Sequence, residues 1–420
     1  MDKESVTLFE TKTKRSFHYG YVIVALSFLV MVAAMGIRGS FGTYVTEWEQ
    51  TFSVNRFWVS LVSFINLTVY GISIIFAGRL SDIIGPRKVL TVGMALLSLC
   101  LAGSYFSTNI GHMIILYGLI GSVGFGFVSN VTVSVGIVRW FKEKKGLMIS
   151  IVVVGMAAGP MIYGPLNLFL IEEIGWKWMF VLYGAVYGLI LLPLIFFLYR
   201  DNRAQAIPVE NVNVVDKQKL QLSTLLKSIF LIFRYRVTWL ITITYVVCGF
   251  TDVGLIYTHM IPLGEHKGFS AVILGNVMLW YGVSNIIGTV MIGFLTDKFS
   301  NQKILSVLFM IRVVALILLL FIEQPLWLIT FALLYGFTDI ATIAPFTMLC
   351  SHIFGEKHMG SAFGVISFTH QFGAAIGSLV PGMLFSLSGN YESSLWISSI
   401  LLIISAILLL YIKDKNQLSV

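Results

Sequence analysis

Charge is what this chain lacks. Only 11% of its 420 residues are Asp, Glu, Lys or Arg, against about 25% in a soluble domain. Cysteine is scarce as well. Cys100, Cys248 and Cys350 all fall inside apolar runs, which gives neither a disulfide framework nor a metal-binding spacing. No G-x-x-x-x-G-K-[ST] loop occurs, so an ATP-driven pump is excluded, and no H-E-x-x-H or paired catalytic constellation is present. An enzyme is therefore not expected, and no cofactor is implied. The ten-residue alternation of a membrane barrel is missing too. The first twenty residues are polar and lead into a run too long for a signal-peptide core, so no cleavable signal is expected.

Apolar length is what the chain has. It is 57% hydrophobic with a mean hydropathy of +0.88, and its apolar runs reach the roughly 20 residues that a bilayer demands. They fall at 19–45, 57–79, 88–107, 111–137, 146–171 and 177–199, then at 237–263, 269–295, 304–322, 326–351, 359–386 and 394–412. That pattern predicts an all-α membrane protein with twelve transmembrane helices. The longest polar stretch begins "RDNRAQAIPVENVNVV" and divides the chain into an N-terminal half (1–199), a linker (200–236) and a C-terminal half (237–420).

The 28 Lys and Arg are unevenly shared between the loops. Alternate loops hold nearly all of them. The intervening loops hold only Arg56, Lys177 and Lys267, and Arg38 and Arg312 lie inside spans. Basic loops stay in the cytoplasm, so both termini are expected there. The net charge of +8 is then topology facing anionic lipid, and no nucleic-acid partner is expected.

One hydrophilic stretch recurs. "GRLSDIIGPRK" at 78–88 returns at 293–303 as "GFLTDKFSNQK", placing Gly78 on Gly293, Leu80 on Leu295 and Asp82 on Asp297. The same spacing puts Phe52–Ser53 against Lys267–Gly268. Further on, a spacing one residue shorter pairs Gly146 with Gly360 and Gly175 with Gly389. Two six-helix units in the same orientation form parallel repeats, as in many secondary transporters.

The loop at Gly78, Leu80, Asp82, Gly85, Arg87 and Lys88 resembles the signature of the major facilitator superfamily, and the likeness runs over nearly the whole chain. Its second copy keeps Gly293, Leu295, Asp297 and Lys303 but lacks the second glycine. Physically, Gly85–Pro86 turns the chain sharply. Asp82 can accept hydrogen bonds at a neighbouring helix N-terminus, and Arg79, Arg87 and Lys88 can reach carboxylates. The resemblance implies that this loop is a gate, latching the two halves on the cytoplasmic side when the carrier is open outward. "GMAAGPMIYGP" in the fifth helix and "GAAIGSLVPG" in the eleventh add close-packing glycines of the kind that such carriers share.

Ionisable residues inside spans are costly and mark function. Here they are Arg38 in the first helix, Asp252 in the seventh, Arg312 in the ninth, Asp339 in the tenth and His370 in the eleventh. The resemblance implies a central cavity built from helices 1, 4, 7 and 10 and flanked by 2, 5, 8 and 11. Arg312 lies off that set and reads as a structural pair. Arg38 maps onto Val253, one residue from Asp252, so Arg38 is expected to hold an anionic substrate with Asp252 as its partner in the empty cavity. Asn66, Tyr70, Asn130, Tyr163, Asn167, Tyr257, Trp280, Tyr281 and Asn285 complete the candidate lining.

"FHYGYVIVALSF", "GIRGSFGTYV" and "FKEKKGLMIS" are similar to bacterial carriers of the monocarboxylate and oxalate–formate type. Two positions depart from that group. Asn285 and Thr289 stand where eukaryotic members carry Asp and Arg, and the eleventh helix offers His370–Gln371 in place of a lysine. Arg38, with His370, must therefore supply the charge. The expectation is a secondary carrier of a small organic anion, a monocarboxylate or dicarboxylate, working by alternating access with proton symport or anion exchange. The alternative is a proton-coupled drug efflux antiporter, although the arginine usual in its fourth helix is Ile120 here. A monomer in a bacterial inner membrane is expected, from compactness and short tails.

Overall fold

A computed structural model describes residues 19–141, 145–202, 236–296 and 298–412. At 145–146, 351–352 and 354–365 it describes the backbone alone. The linker 203–235, most of the N-terminal tail and Asp297 lie outside the described residues. Among the described residues every regular element is helical, and eleven helical runs are long and apolar enough to cross a membrane. They are α1 (Gly20–Gly39), α2 (Arg56–Ile84), α3 (Pro86–Phe106), α4 (Ile110–Val138), the long run Leu147–Leu198, α7 (Arg236–His266), α8 (Ala271–Thr296), α9 (Asn301–Leu320), α10 (Pro325–Cys350), α11 (Ile366–Ser388) and α12 (Glu392–Leu410). The run Leu147–Leu198 is two helices, because Gly175 breaks it with φ 75° and ψ 157°. We label residues 147–174 α5 and 176–198 α6, which makes twelve crossings.

The repeat expected from spacing is also written in the backbone. Five described residues have positive φ: Ser53, Gly85, Gly175, Gly268 and Gly389. Ser53 (52°) and Gly268 (84°) occupy equivalent positions, and so do Gly175 (75°) and Gly389 (74°). Only Gly85 (93°) has no counterpart. The matching position holds Ser300, with φ −62°, the region that a side chain favours. The two turns named for the same signature thus differ in shape for want of one glycine.

Apolar burial divides the same way. One core draws on Ile23 through Tyr199 and includes Trp48, Tyr117 and Phe180. The other draws on Ile241 through Ile412, including Phe309, Phe331 and Phe346, with Leu168 as its one contribution from the N-terminal half. The units meet along α2–α11 and α5–α8. Glycine permits both approaches: a Cβ added to Gly71 would lie 3.1 Å from Gln371, and one on Gly275 would lie 3.4 Å from Pro165.

α1 stops at Gly39, and a short helix, Gly42–Phe52, continues the path. That helix is pinned by an aromatic cluster in which Tyr44 stacks on Trp48 at 5.8 Å while both meet Phe180 edge-on. Arg38 is consequently held at a helix end beside a break, at the boundary between the halves. In α7, residues Phe250–Ile256 form a π-helical stretch. Such wide turns often occur at functional sites, and this one carries Asp252.

Candidate functional site: a cationic pocket between the halves

Arg38, in the last turn of α1, lines a small cavity together with Ser63, Asn66, Val253, Tyr257 and Thr258. Both halves contribute to it. The guanidinium lies over the Tyr70 ring, 3.6 Å from its centroid, a favourable arrangement for a cation. Nη2 donates to Gln371 Oε1 across the boundary at 3.4 Å. Nε is buried without a hydrogen-bond partner. Among the described residues no carboxylate lies within ion-pair distance of Arg38. A guanidinium with a spare donor, in a pocket lined by both halves, has the chemistry to receive an anion.

The expected resting partner is elsewhere. Asp252 Oδ2 faces the interior of the C-terminal half, 3.6 Å from Arg312 Nη1 and 3.4 Å from His370 Nε2, and it accepts from Cys248 Sγ at 3.3 Å. The correction has a simple geometric cause. Val253 is the residue that spacing places opposite Arg38, and Val253 does line the Arg38 pocket. One residue is a turn of about 100° on a helix, and in the wide stretch of α7 that turn carries Asp252 away from the pocket.

Arg312 is fully buried. Besides Asp252, it donates to the Thr338 and Asp339 carbonyls at 2.9 and 3.0 Å, where α10 is interrupted. It ties α7, α9 and α10 together, the structural role that its peripheral helix foretold. Ligand atoms of Cys248, Asp252 and His370 lie within 4.8 Å of one another, a spacing that suits a metal. Yet Arg312 Nη1 is 3.3 Å from that sulfur, so the guanidinium already supplies the positive charge. His370 is likewise committed to Asp252, which corrects its expected share in binding the anion.

A second small cavity adjoins the first through Gly39 and Tyr257. Tyr281 and Asn285 line it, together with Pro160, Met161, Met260 and Met278. Behind this wall sits Asp339. Its Oδ2 accepts from Tyr257 Oη at 2.6 Å and from Asn285 Nδ2 at 2.8 Å. No ion pair to Asp339 is found among the described residues.

Other expected lining residues have different duties. Asn66 borders the Arg38 pocket but spends its amide donor on the Tyr117 carbonyl (3.1 Å) and Ser122 Oγ (2.7 Å), tying α2 to α4. Tyr163 packs beside the Tyr183 ring at 5.1 Å and accepts from Tyr187 Oη at 3.3 Å. Asn167 bonds Tyr44 and Tyr183 at 2.9 and 2.7 Å. Both are internal to the N-terminal half, and neither lines the two cavities. Asn130 opens the last segment of α4 and is absent from both linings. Trp280 is exposed on the outside.

The signature loop makes its described contacts within its own half. Asp82 is 73% exposed and lies 4.0 Å from Arg139 at the end of α4. Arg87 donates its backbone N–H to Asp201 Oδ1 at 3.2 Å and its guanidinium to the Phe196 carbonyl. Lys88 is exposed. Gly78 lets α2 approach Val131, where a Cβ would lie 3.1 Å away, whereas Gly293 has open space around it.

The halves clasp instead at the opposite end, which sequence reasoning missed. Arg56, at the start of α2, forks around Glu49 at 2.7 and 2.6 Å, donates to Tyr391 Oη at 2.6 Å and lies over the Phe385 ring at 4.2 Å. Tyr391 also meets His259 Nδ1 at 3.2 Å, and His259 Nε2 donates to the Ser378 carbonyl at 2.8 Å. Ser63 bonds Thr258, Phe57 N–H bonds Ser386, and Thr46 bonds Glu265. The signal available was Arg56 itself, one of three basic residues on a side otherwise free of them.

A family model described as "Major Facilitator Superfamily" matches residues 26–378 and 263–419. The chain belongs to the Major Facilitator Superfamily. Its relatives include the MFS-type transporter YcxA of Bacillus subtilis (strain 168), 26% identical over 389 residues that cover 88% of this chain and 90% of that one. Monocarboxylate transporter 12-B of Danio rerio is 23% identical, covering 96% and 90%. A solved D-xylose–proton symporter superposes with a TM-score of 0.72 at 17% identity, covering 95% of this chain and 100% of that one. A bacterial homologue of the human lysosomal transporter Spinster, solved inward-facing and occupied, gives 0.74 at 12% identity, covering 95% and 99%. The superfamily and these relatives are transporters, so this superfamily member is a multi-pass membrane transporter and not an enzyme.

Proposed function

We propose that this superfamily member is a secondary carrier of a small organic anion, moving its substrate by alternating access. The observation that carries the reading is Arg38: a cation without an acidic partner among the described residues, with a free Nε–H, in a pocket shared by both halves. Buried charges are ordinarily paired, so an unmatched guanidinium there leaves a place for the ligand's negative charge. Monocarboxylate transporters among the relatives favour a carboxylate.

Between symport and exchange, Asp339 favours proton symport. It is a carboxylate at the cavity wall, held by Tyr257 and Asn285 and by no cation among the described residues. The drug-efflux alternative has no such support, since the pocket beside Arg38 asks for an anion. The functional setting we propose is a bacterial plasma membrane. The test is uptake of labelled C1–C6 carboxylates into proteoliposomes with and without an inward proton gradient. Gradient-stimulated uptake of a carboxylate is the expected result. Absence of flux for every member, with flux for cationic dyes, would establish the efflux reading instead.

A further inference from the structure

We infer that the anion site is bipartite: next to Arg38 lies an apolar subsite, formed by Pro160, Met161, Met260, Ile261 and Met278, that receives the apolar body of a monocarboxylate. The inference rests on the anion reading above and narrows it to one substrate class.

The two cavities meet at Gly39 and Tyr257, so a ligand held by Arg38 reaches the second cavity directly. That cavity is lined mostly by apolar side chains drawn from both halves, as small-molecule sites commonly are. Three of its side chains are methionines. Unbranched thioethers adapt to apolar ligands of differing shape. Two of its three polar side chains are already engaged, because Tyr257 Oη and Asn285 Nδ2 both donate to Asp339, and only the Tyr281 hydroxyl is left without a partner among the described residues. A sugar-like solute would find few free partners there.

A dicarboxylate fares worse. Arg38 is the one cation among the residues lining either cavity. A second carboxylate in the methionine pocket would lie unpaired in apolar surroundings, with Asp339 behind the wall. Burying such a charge is strongly unfavourable. The site therefore selects for one negative charge and penalises two.

The subsite also spans the moving parts. Pro160 and Met161 come from α5 of the N-terminal half, Met260 and Ile261 from α7, and Met278 from α8. An apolar body seated there touches both halves, so any rocking of one half against the other changes its contacts. Differential contact of this kind is what lets a ligand bias a conformational equilibrium.

The experiment is calorimetric titration of the detergent-purified full chain with pyruvate, 2-oxobutanoate, 2-oxopentanoate, 2-oxohexanoate and 2-oxoglutarate. These acids keep the carboxylate constant and ionised at neutral pH. Each added methylene is expected to tighten binding about fourfold, and 2-oxoglutarate is expected to bind more weakly than 2-oxopentanoate. Met161→Gln and, independently, Met278→Gln are expected to reduce the gain to below about twofold per methylene. A flat or falling series in the parent protein overturns the subsite, as does 2-oxoglutarate binding as tightly as 2-oxopentanoate. Retention of the full gain by both folded variants overturns it as well. Failure of every acid to bind the parent protein overturns the anion reading itself, so the two failures are distinguishable.

Discussion

The guanidinium of Arg38 lies 3.6 Å from the centroid of the Tyr70 ring and is bound to no acid among the described residues. Two helices set this pair up: α1 ends at Arg38's turn, and α2 passes alongside with Tyr70 buried, roughly four helical turns on from Arg56. A ring face leaves the edge of the guanidinium, where its N–H donors point, open to a ligand.

Arg38 should therefore be judged by chemistry as well as charge. Lysine keeps the charge and loses the fork and the flat face that stacks on Tyr70. Arg38→Lys is expected to weaken carboxylate binding partially and Arg38→Gln nearly to abolish it. The loss for Gln should be about 2–5 kcal/mol, as for buried charge pairs at interfaces, or roughly 30-fold or more in affinity. Titration of both variants with pyruvate checks this, and unaltered binding by Arg38→Gln would remove Arg38 from the site.

Asp252 and Arg312 predict a stability effect. Breaking a buried pair costs about 3–5 kcal/mol, and without Arg312 only His370, among the described basic residues, would face the Asp252 carboxylate. Arg312→Met should lower the melting temperature in detergent sharply. Adding Asp252→Asn should recover only part of the loss, because Arg312 also binds the Thr338 and Asp339 carbonyls. Full recovery would mean that those carbonyl bonds contribute nothing.

The Arg56 clasp predicts a conformational effect. Hydrogen bonds to charged groups are worth about 1.5–3 kcal/mol, so Arg56→Ala should shift the balance toward opening at that end by about tenfold or more. Ser63, buried against Thr258 between the halves, is a reporter position. A Ser63→Cys variant should react faster with an impermeant maleimide once Arg56 is Ala. The three native cysteines are all buried and give a low background. Equal labelling rates would show that the clasp does not gate.

Asp82 predicts the opposite separation of stability from rate. It is exposed and pairs with Arg139 at 4.0 Å, an arrangement worth only about 0–1 kcal/mol to the fold. Asp82→Asn should insert and melt normally. Transport should nonetheless fall, by about tenfold for each 1.4 kcal/mol of latch energy lost in the other state. Normal carboxylate flux in a folded Asp82→Asn protein would end the latch proposal.

Much of the architecture was legible in residues alone. Apolar length specifies a membrane helix because the bilayer leaves no alternative way to satisfy the backbone. Gly175 and Gly389 reveal a repeat because a turn with positive φ favours glycine in both copies. Arg38 could be singled out because a charge inside a span has to be accounted for by a partner or a ligand. Other features were decided in three dimensions. Spacing brought Asp252 to within one residue of the Arg38 pocket, but the rotation of α7 through its π-helical stretch assigned it to Arg312 and His370. Asn130 and Tyr163 carry the right chemistry on the right helices, and their direction took them elsewhere. The clasp joins Arg56 to Tyr391, 335 residues apart. Sequence determined which segments cross the membrane, since that depends on each segment's own transfer into lipid. Which side chains meet depends on helix rotation and on the packing of two halves against each other, and only the tertiary structure decides that.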